Sequence, residues 1–280
     1  MGYSRILTVQ DISCLGQCSM TVALPILSAC GHETCVLPTM VLSTHTGGLG
    51  TPHRRDLTAD LLPVAEHWRS LGIRFDSILV GYLGKAEQVR LVAALAEELL
   101  APQGKLIVDP AMADHGRLYG GITPDCVAEM KTLLSKADVI LPNGTEGCLL
   151  ADLPMDAPAE DIACRLEERY GTSVLLTGIG SRAGETGFLL RKAGQTVRYS
   201  RPLVGGVYHG TGDMFAAVFT GALMQGWNEA DAAVLAAEYV AQVAENTCSN
   251  PAHPYGTKFE TALPWLISQL QNGLGLEKTI

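Results

Sequence analysis

The sequence has no excess of positive charge, no long apolar run and few aromatic residues. Its 280 residues contain 20 Lys and Arg against 29 Asp and Glu, which gives a formal net charge of −9. An acidic surface repels the phosphates of nucleic acids and of anionic lipids, so we expect neither as a partner. No uncharged apolar segment reaches the roughly 20 residues that a membrane-spanning helix needs. These absences predict a cytoplasmic protein without a membrane partner.

Cysteine is also sparse, with eight residues in the whole chain. That density is too low for a disulfide scaffold. Cys14, Cys18, Cys30 and Cys35 lie close together in the sequence, yet no two cysteines have the two-residue spacing of a zinc knuckle. We therefore expect buried thiols at most of these positions, with zinc binding or redox chemistry as the alternative.

What the chain does contain is an alternation of short apolar runs with longer segments of helical period. Because strands that alternate with helices form parallel sheets, the pattern predicts an α/β fold with a mostly parallel, doubly wound sheet. The segment Thr186–Tyr199 reads as a hairpin that turns at Ala193-Gly194, which adds antiparallel edge strands. The absence of repeats and linkers predicts a single domain over residues 1–280. The predicted strands are Arg5–Gln10, Thr34–Leu37, Ser77–Gly81, Lys105–Asp109, Val139–Leu141 and Val174–Thr177.

Helices are predicted where the apolar period is 3.6 residues, and the chain becomes almost wholly helical after Thr211. In a parallel sheet, ligands bind outside the carboxyl ends of the strands. The polar residues directly after each predicted strand therefore predict a site at that edge. The predicted helices are residues 57–72, 86–101 and 158–171, followed by Met214–Gln225, Glu229–Glu245 and Phe259–Leu270.

The clearest local feature is the run Gly210-Thr211-Gly212-Asp213, which precedes a good helical sequence. Glycines let the backbone turn tightly, so successive N–H groups would lie at the positive end of a helix dipole and bind an anion. Asp213 would then accept a proton from a hydroxyl that attacks a phosphoryl group. Alternatively, Asp213 is an ordinary first-turn acid, which stabilises a helix by about 0.3–1 kcal/mol.

Two further acidic motifs precede that run. Asp109 ends a predicted strand, with Asp114 five residues on, and such carboxylates suit a Mg²⁺ site that also uses water and phosphate oxygens. The alternative for these two residues is an ordinary turn. Asn143 and Glu146 lie three apart at a helix start, where they would face the same side. The alternative for this pair is a helix N-cap with a reaching glutamate.

The order of these motifs along the chain, DP-x₃-D, then N-x-x-E, then G-T-G-D, resembles that of the ribokinase-like superfamily. Within the superfamily the sequence is similar to the vitamin B6 kinase branch over its whole length, most sharply at STHTGG, GYLG, VDPAM and LPNGTE. The resemblance implies an ATP-dependent kinase that phosphorylates the hydroxymethyl group of a B6 vitamer. It also implies Mg²⁺, a possible monovalent cation and a homodimer.

The resemblance further assigns roles to individual residues. Asp213 is implied to be the base, with the N–H groups of Gly210, Thr211, Gly212 and Asp213 as an anion hole. Asp109 and Glu146 are implied to support Mg²⁺ through water molecules. The resemblance places five residues along the nucleotide phosphates: Asp114, Tyr119, Asn143, Glu146 and Thr177. It places the pyridine ring of the substrate beside Thr46 and Tyr82.

The first predicted strand departs from the family pattern, because Asp11 stands where B6 kinases often carry serine. Asp11 would pair with the ring nitrogen or with the phenolic oxygen of the vitamer, or it would form only an Asx turn. His209 is expected to be a packed histidine, and the basic patch His53-Arg54-Arg55 a solvated helix entry outside the site. Two functional alternatives stay open: a hydroxymethylpyrimidine kinase of the same superfamily, and a non-catalytic sensor that binds nucleotide or pyridoxal phosphate.

Overall fold

One nine-stranded β-sheet organises the part of the chain that the computed structural model describes, which is residues 3–206, 208–248 and 255–272. A separate two-stranded ribbon, β6 (Ala113–Asp114) with β7 (Arg117–Leu118), follows β5 in the chain. The strands of the main sheet are β1 (Arg5–Ser13), β2 (Glu33–Leu42), β3 (Arg54–Asp56), β4 (Phe75–Val80), β5 (Leu100–Val108), β8 (Val139–Ile140), β9 (Ser173–Thr177), β10 (Glu185–Lys192) and β11 (Gln195–Pro202).

The sheet is parallel at its centre and antiparallel at both edges. Its order is β11-β10-β9-β8-β5-β4-β1-β2-β3, and the six strands from β9 to β2 run parallel. The edge strands β3, β10 and β11 pair antiparallel. The predicted mostly parallel sheet with antiparallel edges is thus confirmed. The chain leaves β1 toward β2 on one side and returns to β4 on the other, so a topological switch point lies beside β1. Such a switch point opens a ligand crevice at the strands' carboxyl ends.

Helices cover both faces of the sheet, so the parallel strands are buried on both sides. Along β4, Ile78 and Val80 belong to one apolar cluster and Leu79 to the other, as the two-residue period of a strand requires. On the first face lie α2 (Thr58–Ser70), α3 (Ala86–Leu99), α4 (Pro124–Leu134), α5 (Gly144–Ala151) and α6 (Ala159–Tyr170). On the second lie α1 (Met20–Ala29), α7 (Thr211–Met224), α8 (Glu229–Cys248), the 3-10 turn Phe259–Ala262 and α9 (Leu263–Asn272).

Several element boundaries differ from the sequence-based predictions. Helices α1 and α4 were not predicted; α1 is apolar along most of its length and contains Pro25, which hides the helical period. Strand β1 continues to Ser13, so Asp11 and Ser13 lie within the strand rather than after it. The hairpin turn at Ala193-Gly194 is confirmed, with φ of 49° and 78° at its two residues. Within the described ranges, no helix is long and apolar enough to cross a membrane.

Candidate active site

The residues predicted to form a site lie at the carboxyl edge of the parallel sheet. Asp109 directly follows β5, and Asn143 caps α5 after β8. Thr177 is the last residue of β9 and pairs with Asn143 through an isolated β-bridge. Asp213 lies in the first turn of α7, as predicted. Asp11 on β1 and Tyr82 after β4 lie at the same edge, which therefore collects groups from six segments that are far apart in the sequence.

Asn143 and Glu146 form a complete capping box at the start of α5. The Asn143 side chain accepts a hydrogen bond from the Glu146 N–H at 3.0 Å, and Glu146 Oε2 accepts from the Asn143 N–H at 2.9 Å. Glu146 Oε1 accepts from the N–H groups of Met112 and Ala113, at 2.8 and 3.3 Å. The cap interpretation is therefore correct as geometry. It also fixes a buried carboxylate that reaches the loop after Asp109.

Asp109 is the second buried carboxylate of this region, with 9% of its surface exposed. Its Oδ1 accepts from the Ala111 N–H at 3.2 Å, while a Cβ placed on Gly212 would lie 3.8 Å from its Oδ2. Asp109 thus faces the start of α7. Burial and the nearby charge of Glu146 raise the pKa of Asp109, and burial likewise raises the pKa of Glu146. A bound cation would stabilise the ionised form of both carboxylates and so lower these pKa values.

These carboxylates fit a magnesium ion that keeps part of its water shell. In the described ranges, no group of three or more His, Cys, Asp or Glu side chains forms a metal cage. The expectation of buried thiols at most of the four N-terminal cysteines is wrong, because only Cys30 is buried, while Cys18 and Cys35 are half-buried and Cys14 is exposed. Mg²⁺ is usually held by one or two carboxylates, with water and phosphate oxygens filling the other positions. Asp109 and Glu146 supply that number of carboxylates beside a helix N-terminus.

The start of α7 is shaped to receive an anion. Gly210 has a φ of 78°, and a Cβ on it would lie 1.8 Å from the carbonyl oxygen of Gln17, so no other residue fits there. The helix has no side-chain cap. The N–H groups of its first turn, from Thr211 to Asp213, lack acceptors within the helix, and such free donors at a helix N-terminus suit an anion.

Asp213 lies near two other carboxylates, those of Asp109 and Asp11. Burial, the charge of Asp109 and the charge of Asp11 together raise its pKa to about 7, while a hydrogen bond from the Ser19 backbone opposes the rise. A carboxylate with a pKa near the working pH combines a usable ionised fraction with enough basicity to accept a hydroxyl proton. The surroundings of Asp213 therefore suit a general base.

Asp11 and Tyr82 lie at the switch point between β1 and β4. Asp11 is 2% exposed, its Oδ2 accepts from the Ser13 hydroxyl at 3.0 Å, and burial raises its pKa. Burial and the charge of Asp11 also raise the pKa of Tyr82, whereas the charge of Arg54 lowers it. The Tyr82 phenol is therefore close to a buried carboxyl group, that of Asp11, and to the guanidinium cation of Arg54. This arrangement can bind a small polar ring.

A loop over residues 43–48, here called the flap, lies against the segment after β1, where the His45 N–H donates to the Leu15 carbonyl at 3.2 Å. His45 Nδ1 accepts from the Gly47 N–H at 3.1 Å, so its Nε2 carries the proton and donates to the Tyr255 carbonyl at 3.1 Å. The His45 ring packs on the His209 ring with centroids 4.9 Å apart. His209 is thus packed, as expected, and it connects the flap to the start of α7. Thr46 is exposed on the flap.

The other predicted nucleotide residues lie at the outer rim. Asp114 is exposed and accepts from the His115 N–H at 2.7 Å. Tyr119 is 37% exposed; burial of its ring and the charges of Glu146 and Asp114 raise its pKa. The Thr177 hydroxyl donates to the Pro142 carbonyl at 3.4 Å. The structure brings Tyr119 near the carboxylates but leaves Asp114 in solvent.

Sequence reasoning missed two residues near the site. The patch around Arg54 was expected to be a solvated helix entry, but Arg54–Asp56 forms the edge strand β3, and α2 begins only at Thr58. Arg54 Nη1 lies 3.0 Å from the position of a Cβ on Gly121, which places the cation between Tyr82 and the loop after β7. Ser19, whose backbone opposes the rise in the pKa of Asp213, was also missed, because nothing in the sequence marks its backbone conformation.

Comparisons with known proteins agree with this geometry. The phosphomethylpyrimidine kinase family model matches residues 31–256. A pyridoxal kinase structure from Lactobacillus plantarum is 32% identical, with a TM-score of 0.90 over 97% of this chain and 99% of that one. A pyridoxal kinase from Leishmania donovani in complex with ADP and pyridoxamine is 25% identical, with a TM-score of 0.82 over 96% of each chain. A pyridoxine/pyridoxal/pyridoxamine kinase from Bordetella bronchiseptica is 28% identical over 261 residues, which cover 86% of this chain and 89% of that protein.

The chain therefore belongs to the phosphomethylpyrimidine kinase family, which confirms the resemblance to ribokinase-like kinases. Within it, the chain is a kinase of the vitamin B6 type, a phosphotransferase with an alcohol group as acceptor.

Proposed function

We propose that this enzyme transfers the γ-phosphoryl group of ATP to the hydroxymethyl group of a vitamin B6 vitamer. The observation that carries the proposal is Asp213, which lies at the uncapped start of α7 and has a pKa raised to about 7. An acid poised near neutrality beside free N–H donors is what phosphoryl transfer to an alcohol needs. Support comes from relatives whose names give all three vitamers as substrates.

In the proposed mechanism, Asp213 takes the hydroxyl proton while the substrate oxygen bonds to the γ-phosphorus. The bond from that phosphorus to the β–γ bridging oxygen breaks, and ADP leaves. The N–H groups of Gly210, Thr211 and Gly212 receive the charge that spreads over the equatorial oxygens. Mg²⁺, held through water by Asp109 and Glu146, would supply charge neutralisation on the phosphates. A monovalent cation would also favour phosphate binding.

The nucleotide phosphates are proposed to lie along the carboxyl ends of β5, β8 and β9. Asn143 and Glu146 are rigid there because the capping box and the contacts with the loop after Asp109 hold both side chains. Thr177, Tyr119 and Asp114 are proposed to border the phosphates from the outer side. Support for a nucleotide here is the ADP held by the pyridoxal kinase from Leishmania donovani.

The vitamer is proposed to bind between Tyr82, Thr46 and Asp11. A buried carboxylate at Asp11 favours a ligand that offers a proton, such as a pyridinium nitrogen or a phenolic hydroxyl. A charged amine also donates protons to a carboxylate. We therefore propose pyridoxamine as the best substrate, followed by pyridoxal and pyridoxine. That same kinase from Leishmania donovani is named in complex with pyridoxamine.

Hydroxymethylpyrimidine is a second candidate substrate, since the family model that matches carries the name phosphomethylpyrimidine kinase. A substrate panel with ATP and Mg²⁺, followed by ADP release, separates the candidates. We expect the highest kcat/KM for a B6 vitamer. A higher kcat/KM for hydroxymethylpyrimidine would overturn the substrate assignment. Binding of vitamer and nucleotide without any turnover would instead indicate a sensor.

The proposal also covers the state of the protein in the cell. We propose a homodimer in the cytoplasm, built from one kinase domain over residues 1–280. Light scattering at micromolar concentration tests the dimer, and a monomeric mass would remove it. Limited proteolysis tests the domain, because a stable fragment from cleavage inside the sheet would contradict a single unit.

A further inference from the structure

Gln88 is a polar side chain with no exposed surface, and it is the third residue of α3. A glutamine at this position of a helix often reaches back to the N–H of the N-cap residue. The N-cap here is Lys85, but Gln88 reaches one residue further, where its Oε1 accepts from the Gly84 N–H at 3.0 Å. Because a buried amide needs its hydrogen bonds, this contact fixes Gly84 relative to α3.

The amide nitrogen of Gln88 connects three other segments. It donates to the Thr39 carbonyl at 2.9 Å, to the Thr58 hydroxyl at 3.0 Å and to Asp56 Oδ1 at 3.3 Å. These residues belong to β2, to the start of α2 and to β3. Since Nε2 has acceptors on its side of the amide, the oxygen is the atom that faces the Gly84 N–H. The side chain therefore has one orientation that satisfies both of its ends.

Gly84 in turn supports the Tyr82 phenol. A Cβ on Gly84 would lie 3.4 and 3.5 Å from Cε1 and the hydroxyl oxygen of Tyr82, and 2.8 Å from Cε of Met40. The phenol thus packs against Gly84, with Met40 beside it. At the other end of this loop, the Gly81 N–H donates to a carbonyl of β1 at 3.0 Å. The loop over residues 81–84 is anchored at both ends, and the end that touches the phenol is anchored by Gln88.

We infer that Gln88 is a positioning residue: by holding Gly84, it sets the Tyr82 phenol against the ring of the substrate. The inference rests on the proposed function, in which Tyr82 borders that ring. A purely structural glutamine would join α2 and α3 and would affect stability without affecting ring binding. The two roles use different atoms, because Oε1 faces Gly84 and Nε2 makes the other contacts.

The test compares Gln88→Met with Gln88→Glu. Methionine has a similar length and removes every hydrogen bond, whereas glutamate keeps an oxygen for the Gly84 N–H and loses the amide donor. Both variants should lower Tm. We expect the Kd for pyridoxamine, measured by calorimetry, to rise about 5-fold in Gln88→Met, as for the loss of one hydrogen bond, and to stay within about 2-fold of wild type in Gln88→Glu. The Kd for ATP should stay within about 2-fold in both, because the partners of Gln88 lie outside the proposed phosphate site.

Thr58→Val is the matched control, because it removes one partner of Nε2 and leaves the bond to Gly84 in place. It should lower Tm and change neither Kd. In a Tyr82→Ala background, Gln88→Met should change the Kd for pyridoxamine less than about 2-fold. An unchanged Kd in Gln88→Met, an equal rise in Gln88→Glu, or a full 5-fold rise in the Tyr82→Ala background would overturn the inference.

If Gln88→Met does not fold, Gly84→Val carries the test. A Cβ at Gly84 already lies at van der Waals distance from Tyr82, so the methyl groups of valine would press on the phenol. We expect a rise of about 5-fold in the Kd for pyridoxamine, and an unchanged Kd would overturn the inference. Calorimetry needs no turnover, so a wild type that binds pyridoxamine without reaction would refute the kinase proposal while these Kd values still decide the role of Gln88. If the wild type prefers hydroxymethylpyrimidine, the same Kd comparison is made with that ring.

Discussion

The two halves of the site are held by different kinds of contact. In the half that adjoins β5, β8 and β9, both oxygens of Glu146 accept main-chain N–H groups, from Met112, Ala113 and Asn143. In the half that adjoins β1, β2 and β4, the Ser13 hydroxyl donates to Asp11, and His45 donates to the carbonyl of Tyr255, 210 residues away. The phosphate half is thus held through main-chain N–H groups, and the substrate half through hydroxyl and imidazole side chains. Such a division lets the ring-binding groups vary while the phosphate groups stay fixed.

Asp213 lies where the two halves meet, and its loss should have the largest effect. We expect Asp213→Asn to lower kcat at least about 10²-fold, as for removal of a general base, because asparagine cannot accept the hydroxyl proton. ATP binding, measured by calorimetry, should change little, since the N–H groups of the α7 start remain. Unchanged turnover would contradict the assignment of Asp213 as the base.

The rigidity of the phosphate half can be tested by removing the cap of α5. Asn143→Ala deletes the acceptor for the Glu146 N–H and the donor to the Ala113 carbonyl. We expect a loss of about 1 kcal/mol, which is roughly 2–4 °C in Tm for a chain of this size. The KM for ATP should rise about 10-fold, because the loop that follows Asp109 loses its support.

The control for this variant is the cap of another helix. Asn228 caps α8, where its Oδ1 accepts from the Asp231 N–H at 2.9 Å. Asn228→Ala should lower Tm by a similar amount but leave the KM for ATP unchanged. Equal effects of the two variants on KM would show that Asn143 acts only through stability.

The same contrast explains what the sequence could predict. The parallel order of strands, the hairpin at Ala193-Gly194 and the capping pair Asn143 and Glu146 follow from local patterns, and the structure has all three. The contact of His45 with Tyr255 and the reach of Arg54 toward Gly121 depend on segments that only the finished fold brings together. The helix α1 was missed because it is apolar along most of its length, even at the exposed Leu24, so it has no polar face to reveal its period.

The substrate half can be disturbed through the flap. A Cβ on Gly47 would lie 2.5 Å from Cε1 of His209, so Gly47→Ala must displace the stacked histidines. We expect the KM for the vitamer to rise about 5-fold while kcat stays within about 2-fold, because the base is untouched. His209→Ala in the same chain removes the clash and should restore KM. Gly205→Ala, whose Cβ would meet nothing within 4 Å, is the control. A normal KM in Gly47→Ala would mean that the flap does not order the ring site.

The smallest expected effect is on the free energy of unfolding, and it depends on the raised pKa of Asp213. Because its folded pKa of about 7 lies above the ordinary 3.8, folded protein retains a proton that unfolded protein has released between these pH values. Stability is therefore full below about pH 4 and falls as pH rises through about 7. Asp213→Asn avoids that loss. We expect it to be about 1–2 kcal/mol more stable than wild type at pH 8, after allowance for the screening of a half-buried group.

Calorimetric Tm values between pH 4 and pH 8, without Mg²⁺, measure this difference. It should be near zero at the acidic end, grow toward pH 7 and then level off at roughly 2–6 °C. Glu66→Gln, an exposed change in the middle of α2, controls for the removal of one negative charge. If Asp213→Asn gave the same Tm difference at every pH, neither burial nor the charges of Asp109 and Asp11 would be raising the pKa of Asp213 in the folded protein.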